Sequence, residues 1–212
     1  MAETQEGPPV VHGSLTHWRE GEFVPIAGAD GASYGGRQSW LTGEGVSGFY
    51  ADRSCGVTAA CNLLCYLSRH WPGKEGLYPH RDLSRERFSR FQRELYGYLS
   101  PAPWGIPSVG AIIRGVERYA AERDAPLRAV RKGRTGMLSY ISAGLERDCP
   151  VLLLTWNTPV AHLRFHWVTV TRLYDAGSGV RMVSSNWGER AEYDFSAWAN
   201  GPSLHRGAVW FA

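Results

Sequence analysis

The stretch "DRSCGVTAACNLLCYL" (residues 52–67) decides the fold. From Cys55 onward the apolar side chains fall at Val57, Ala60, Cys61, Leu64 and Leu67, close to the spacing of one helical face. Ser54 and Asp52 stand in front of them as capping residues. Cys55 is thereby placed in the first turn, where unpaired backbone N–H groups and the helix dipole favour an anion. A thiol there is expected to lose its proton more easily than usual and to act as a nucleophile. The competing reading makes Cys55 a small core residue, because free cysteine is among the most buried residue types.

Working outward, residues 1–45 are rich in Gly and Pro and read as an irregular N-terminal segment. At most, short strands are expected near residues 23–26 and 38–41, with the first dozen residues loose. Residues 46–212 read as one domain. A helix over 55–69 is followed by a second over 83–99, capped by Asp82, with Phe88, Phe91, Leu95 and Tyr98 on one face. Ser108 caps a third, and Thr135 opens a fourth that runs through Leu145. Between those two, "LRAVRK" reads as a short strand; "PVLLLTW", "FHWVTVTRLYD", "GVRMVSSN" and "GAVWFA" follow as further strands. Helices first and an antiparallel run of strands afterwards predict an α+β architecture with the sheet packed on the first helix.

Composition narrows the function. The net charge of +3 is spread along the 212 residues without a polybasic run, which gives no case for nucleic acid or lipid as a partner. No apolar run approaches the roughly 20 residues that span a bilayer. The opening "MAETQEGPPVVHG" has neither the basic nor the apolar part of a secretory signal, so a cytoplasmic location is expected, with secretion by a non-classical route left open. Four cysteines are too few and too unevenly placed for a disulfide scaffold, and no CxxC or His/Cys spacing suggests a metal site.

A cysteine nucleophile needs a base, and the base needs a group that orients it. Among seven histidines, His166 alone stands inside a strand pattern, sharing a face with Val168 and Val170 that is expected to look toward the first helix. After the turn "YDAGSG" the next strand returns antiparallel and ends in Asn186. The two residues therefore meet at one end of a hairpin, where the Asn oxygen can accept from one imidazole nitrogen and leave the other for the thiol.

These pieces, "SCGVTAACNLL", "LRAVRKGRTGMLSYISAGLERDCPVLLLTW", "HWVTVTRLYD" and "SSNWGERAEYDFSAW", resemble in order the papain-like cysteine peptidase superfamily. The likeness is greatest to the double-glycine leader peptidases of bacteriocin exporters and their stand-alone relatives, and covers roughly residues 50–200. It implies a papain-like fold, with Cys55 as nucleophile, His166 as general base and acid, and Asn186 as the orienting residue. Trp187 and Gly56, their neighbours, are the positions expected to touch substrate. The leader peptidases commonly carry Asp in the orienting position and a Gln about six residues before the cysteine, whose amide donates to the oxyanion. Here Phe49 and Tyr50 occupy that region, and Gln38 is the upstream glutamine close enough to substitute, provided the loop "LTGEGVSGFYAD" folds outward. The resemblance implies hydrolysis of a peptide or protein amide through a thioester, without metal or cofactor. An acyltransferase using the same three residues, and a binding module with an idle triad, are the alternatives.

Overall fold

The structure is a computed structural model that describes residues 10–212 apart from residues 18, 20 and 30. The chain begins with β1 (Val11–Ser14), the hairpin β2 (Pro25–Gly28) and β3 (Gly31–Tyr34), a 3-10 helix (Gln38–Glu44) and a short α1 (Gly48–Ala51). Next come α2 (Cys55–His70), α3 (Arg85–Leu99) and α4 (Val109–Ala121). β4 (Ala129–Val130), α5 (Met137–Glu146) and β5 (Val151–Thr155) lead into β6 (His166–Asp175) and β7 (Val180–Asn186). The chain closes with β8 (Glu189–Asp194), α6 (Phe195–Asn200) and β9 (Arg206–Phe211). The main sheet has the order β4-β9-β5-β6-β7-β8, with β1 added against the C-terminal half of β6, and its paired strands run antiparallel. The architecture is α+β.

Strand register assigns the two faces. Thr169 pairs with Ser185, and the hydroxyl of Thr169 donates to the carbonyl of Ala59 on α2 at 3.3 Å. On the same face Asn62 Nδ2 donates to Ser185 Oγ at 3.2 Å. Alternation then puts Thr155 and Trp210 on the opposite face. There Trp198 of α6 donates to Thr155 Oγ1 at 2.8 Å and Tyr140 of α5 lies 6.2 Å from the Trp210 ring. The sheet is thus covered on both sides.

Every residue of α2 from Cys55 to Ser68 is buried, because the sheet closes one side and α3 and α4 the others. Replacing Leu64, which is fully buried, with alanine is expected to lower the unfolding free energy by about 2–5 kcal/mol. The shift in urea midpoint measures it; a loss below about 1 kcal/mol would show that α2 is not central to stability.

Several local expectations need correction. Residues 38–41 form helical turns rather than a strand. β1 binds part of the expected loose segment into the sheet, while residues 1–9 lie outside the described residues. β8 was not foreseen: in its sequence, "ERAEYD", only Ala191 and Tyr193 alternate with charged residues, too short a signal to announce an edge strand. α3 is capped by Ser84, whose hydroxyl accepts from Arg87 N–H; the Asp82 carboxylate accepts from Ser84 N–H just ahead of it. Ser108 caps α4 as expected, but α5 starts at Met137 behind Gly136, without a side-chain cap. Among the described residues, no helix is long and apolar enough to cross a membrane.

Candidate active site

The site begins with an unusual helix start. Ser54 holds the N-cap position of α2 but does not cap it; its hydroxyl donates back to the carbonyl of Tyr50 at 2.7 Å. The Asp52 side chain makes no capping contact either, and its backbone oxygen accepts from Gln38 Nε2 at 2.7 Å. The expected capping is therefore absent, and the leading N–H groups of α2 are left without a side-chain acceptor. Those N–H groups can face a sulfur or an oxyanion.

Cys55 is 9% exposed, whereas Cys61, Cys65 and Cys149 are fully buried, and all four are free thiols. Two cavities open on Cys55. The inner one, about 10 Å³, holds about one water-sized atom and is walled by Cys55, Gln38, His166 and Trp187 with Thr58 and Asn62 below. The outer one, about 340 Å³, is shared by Cys55 and His166 and lined by Trp104, Ile106, Leu154, Trp156 and Phe165. Three separate chain segments, around residues 104, 156 and 165, supply that aromatic lining, so no single sequence pattern could have announced it.

His166 Nε2 lies 2.7 Å from Asn186 Oδ1. The Asn186 amide nitrogen contacts the carbonyl of His162 at 3.3 Å and the Tyr193 hydroxyl at 2.8 Å. A carbonyl only accepts, so the orientation of the amide is set, and its oxygen must face the imidazole. Nε2 therefore carries the proton, and Nδ1 is the basic atom left for Cys55. Tyr193 was missed in the sequence; the aromatic character of the segment after Asn186 was its one signal.

The face assignment of His166 is corrected. It alternates with Trp167 and Thr169, and these two, not His166, look toward α2. His166 meets Cys55 because each is the first residue of its element, at the shared end of sheet and helix. Among the described residues no hydrogen bond joins the thiol to the imidazole; the two share the walls of both cavities.

Burial pushes the Cys55 thiol up from its ordinary value, and the backbone N–H groups of Trp167, Gly56 and Cys55 itself pull it only part of the way back. The easily lost proton expected at a helix start is thus overridden by desolvation. Burial likewise lowers the pKa of His166, against the hydrogen bond it donates to Asn186, and the neighbouring His162 lowers it further. Both shifts favour the uncharged forms, thiol and neutral imidazole.

Trp187 sits with a left-handed φ of 51°, 44% exposed, its ring 4.8 Å from that of His166. It roofs the imidazole beside the cleft. Gly56, by contrast, is buried away from the cavities; a Cβ there would stand 3.0 Å from Ile106 and 3.1 Å from Trp167. It walls neither of the two cavities itself. No cluster of three or more His, Cys, Asp or Glu among the described residues could hold a metal ion. Comparison with protein-family models, curated proteins and solved structures finds no match to this chain.

Proposed function

We propose that the chain is a cysteine-dependent peptidase or amide hydrolase of papain-like build. One observation carries the reading: a cysteine opening a buried helix shares a water-sized cavity with an imidazole whose Nε2 is held by Asn186 and with the amide of Gln38. In this reading His166 Nδ1 takes the thiol proton as Cys55 Sγ attacks the substrate carbonyl. The oxyanion forms in the inner cavity, opposite the Cys55 N–H and the second N–H of Gln38 Nε2. His166 then gives its proton to the leaving amine. Water attacks the thioester with His166 again as base, and the acid departs with the thiol restored. The outer cavity takes a large apolar side chain of the peptide.

A second reading, an idle peptide grip, is favoured by the raised thiol pKa and the missing thiol–imidazole hydrogen bond. Acylation separates the two. Incubation with the 4-nitrophenyl ester of an acylated phenylalanine, acid quench and peptide mass mapping are expected to find the acyl group on Cys55. It should be absent from Cys61, Cys65 and Cys149, and from a Cys55→Ala protein. Failure to acylate Cys55 would remove the enzymatic reading.

A further inference from the structure

Gln38 is 17 positions ahead of Cys55, too far for local chain geometry to place its amide, and the structure shows what holds it instead. The segment before it is tied down residue by residue. Ser185 Oγ donates to the Tyr34 carbonyl at 2.5 Å, and Asn62 Oδ1 accepts from the Gly36 N–H at 2.8 Å. Gln92 Nε2 donates to the Arg37 carbonyl at 3.2 Å and to Thr58 Oγ1 at 2.8 Å. Gly35, with φ of +84°, lets the strap pass so close that a Cβ would stand 2.5 Å from Ser185 Oγ, and a Cβ on Gly36 would collide with Phe88.

Cys55, Ala59 and Asn62 recur along one face of α2, so the helix that presents the sulfur also presents the strap's anchor. Gln92 comes at a cost. It is fully buried and its Oε1 has no hydrogen-bond partner among the described residues. A leucine would spare that oxygen but strip Thr58 Oγ1 and the Arg37 carbonyl of their shared donor, so what the glutamine supplies here is an amide that ties the Arg37 backbone to α2.

We propose that Asn62 and Gln92 are positioning residues that act through Gln38, setting its amide at the inner cavity. The inference rests on the hydrolase reading above. It is tested by two reactions of the same thiol: acylation by the 4-nitrophenyl ester, which builds an oxyanion, and alkylation by iodoacetamide, which does not. Asn62→Ala and Gln92→Leu are each expected to slow acylation by about 10-fold or more, within the 10²–10³-fold range of a lost oxyanion donor, with alkylation within about 2-fold of wild type. In a Gln38→Ala background the same substitutions should slow acylation no further. Gln92→Leu keeps the test decisive if Asn62→Ala fails to fold, because the Arg37 carbonyl retains the Trp40 N–H as a partner.

The proposal is overturned by wild-type acylation rates in the folded variants, by a parallel loss of alkylation, or by an undiminished effect without Gln38. Wild-type protein that acylates no faster than Cys55→Ala would overturn the hydrolase reading itself, a result distinct from these.

Discussion

His166→Ala is expected to slow acylation of Cys55 by about 10²–10⁴-fold, the range of a positioned general base. The effect should be large because burial holds the thiol above its ordinary pKa of 9.0, leaving little thiolate to react unaided. The pH profile carries the sign. Burial holds the imidazole below its ordinary 6.5, so the base is lost only as pH falls beneath that value, and the rate is flat above it until the thiol ionises. Stopped-flow release of 4-nitrophenolate between pH 4 and 10 measures both quantities. An acid limb centred above 6.5, or His166→Ala at wild-type speed, would contradict the assignment. The same shift bears on stability. The unfolded chain binds the proton first on acidification, so the contribution of neutral His166 is present above pH 6.5 and is lost as pH falls through the folded value.

Gln38→Ala is the second large effect, a loss of about 10²–10³ in acylation rate. Its side chain is half-buried and bonded to one backbone oxygen, that of Asp52, so its removal should leave the urea midpoint nearly unchanged. The measurement is kcat for an amide substrate alongside the unfolding curve. A fall in stability matching the fall in rate would point to a structural role, and an unchanged rate would leave the inner cavity without its side-chain donor.

How legible this molecule is in its sequence varies with how local the cause is. The long helices could be read because their apolar spacing and, for α4, its Ser108 start lie within one turn of each other, while the cap of α3 was placed two residues early, at Asp82 instead of Ser84. Asn186 could be paired with His166 because one hairpin joins them, whatever face each strand presents. The face itself was misread: His166 shares the valine alternation, and which side α2 takes depends on Trp167 and Thr169 packing across more than a hundred residues of chain. The protonation of Cys55 was misjudged for a related reason. The helix start is visible in the sequence, but the burial that outweighs it comes from partners elsewhere. Gln38 entered through resemblance rather than through its own surroundings, and the residues that bond the segment just before it, Asn62, Gln92 and Ser185, lie on three other elements. The aromatic cleft had only a compositional hint, the nine tryptophans of the chain, and no positional one.

The bond between Gln38 and the Asp52 carbonyl also clasps the two ends of the segment between them, whose Leu41, Val46 and Ala51 form a small buried apolar cluster of their own. Its stem is fixed, while its tip presents Phe49, with Arg53 stacked over the ring, to solvent. Closing a loop twice as long costs only about 0.6 kcal/mol more. Under the hydrolase reading, residues exchanged around Phe49 would reach the outer cavity through Arg53, which lines it, making this the stretch where a redesign of selectivity would begin.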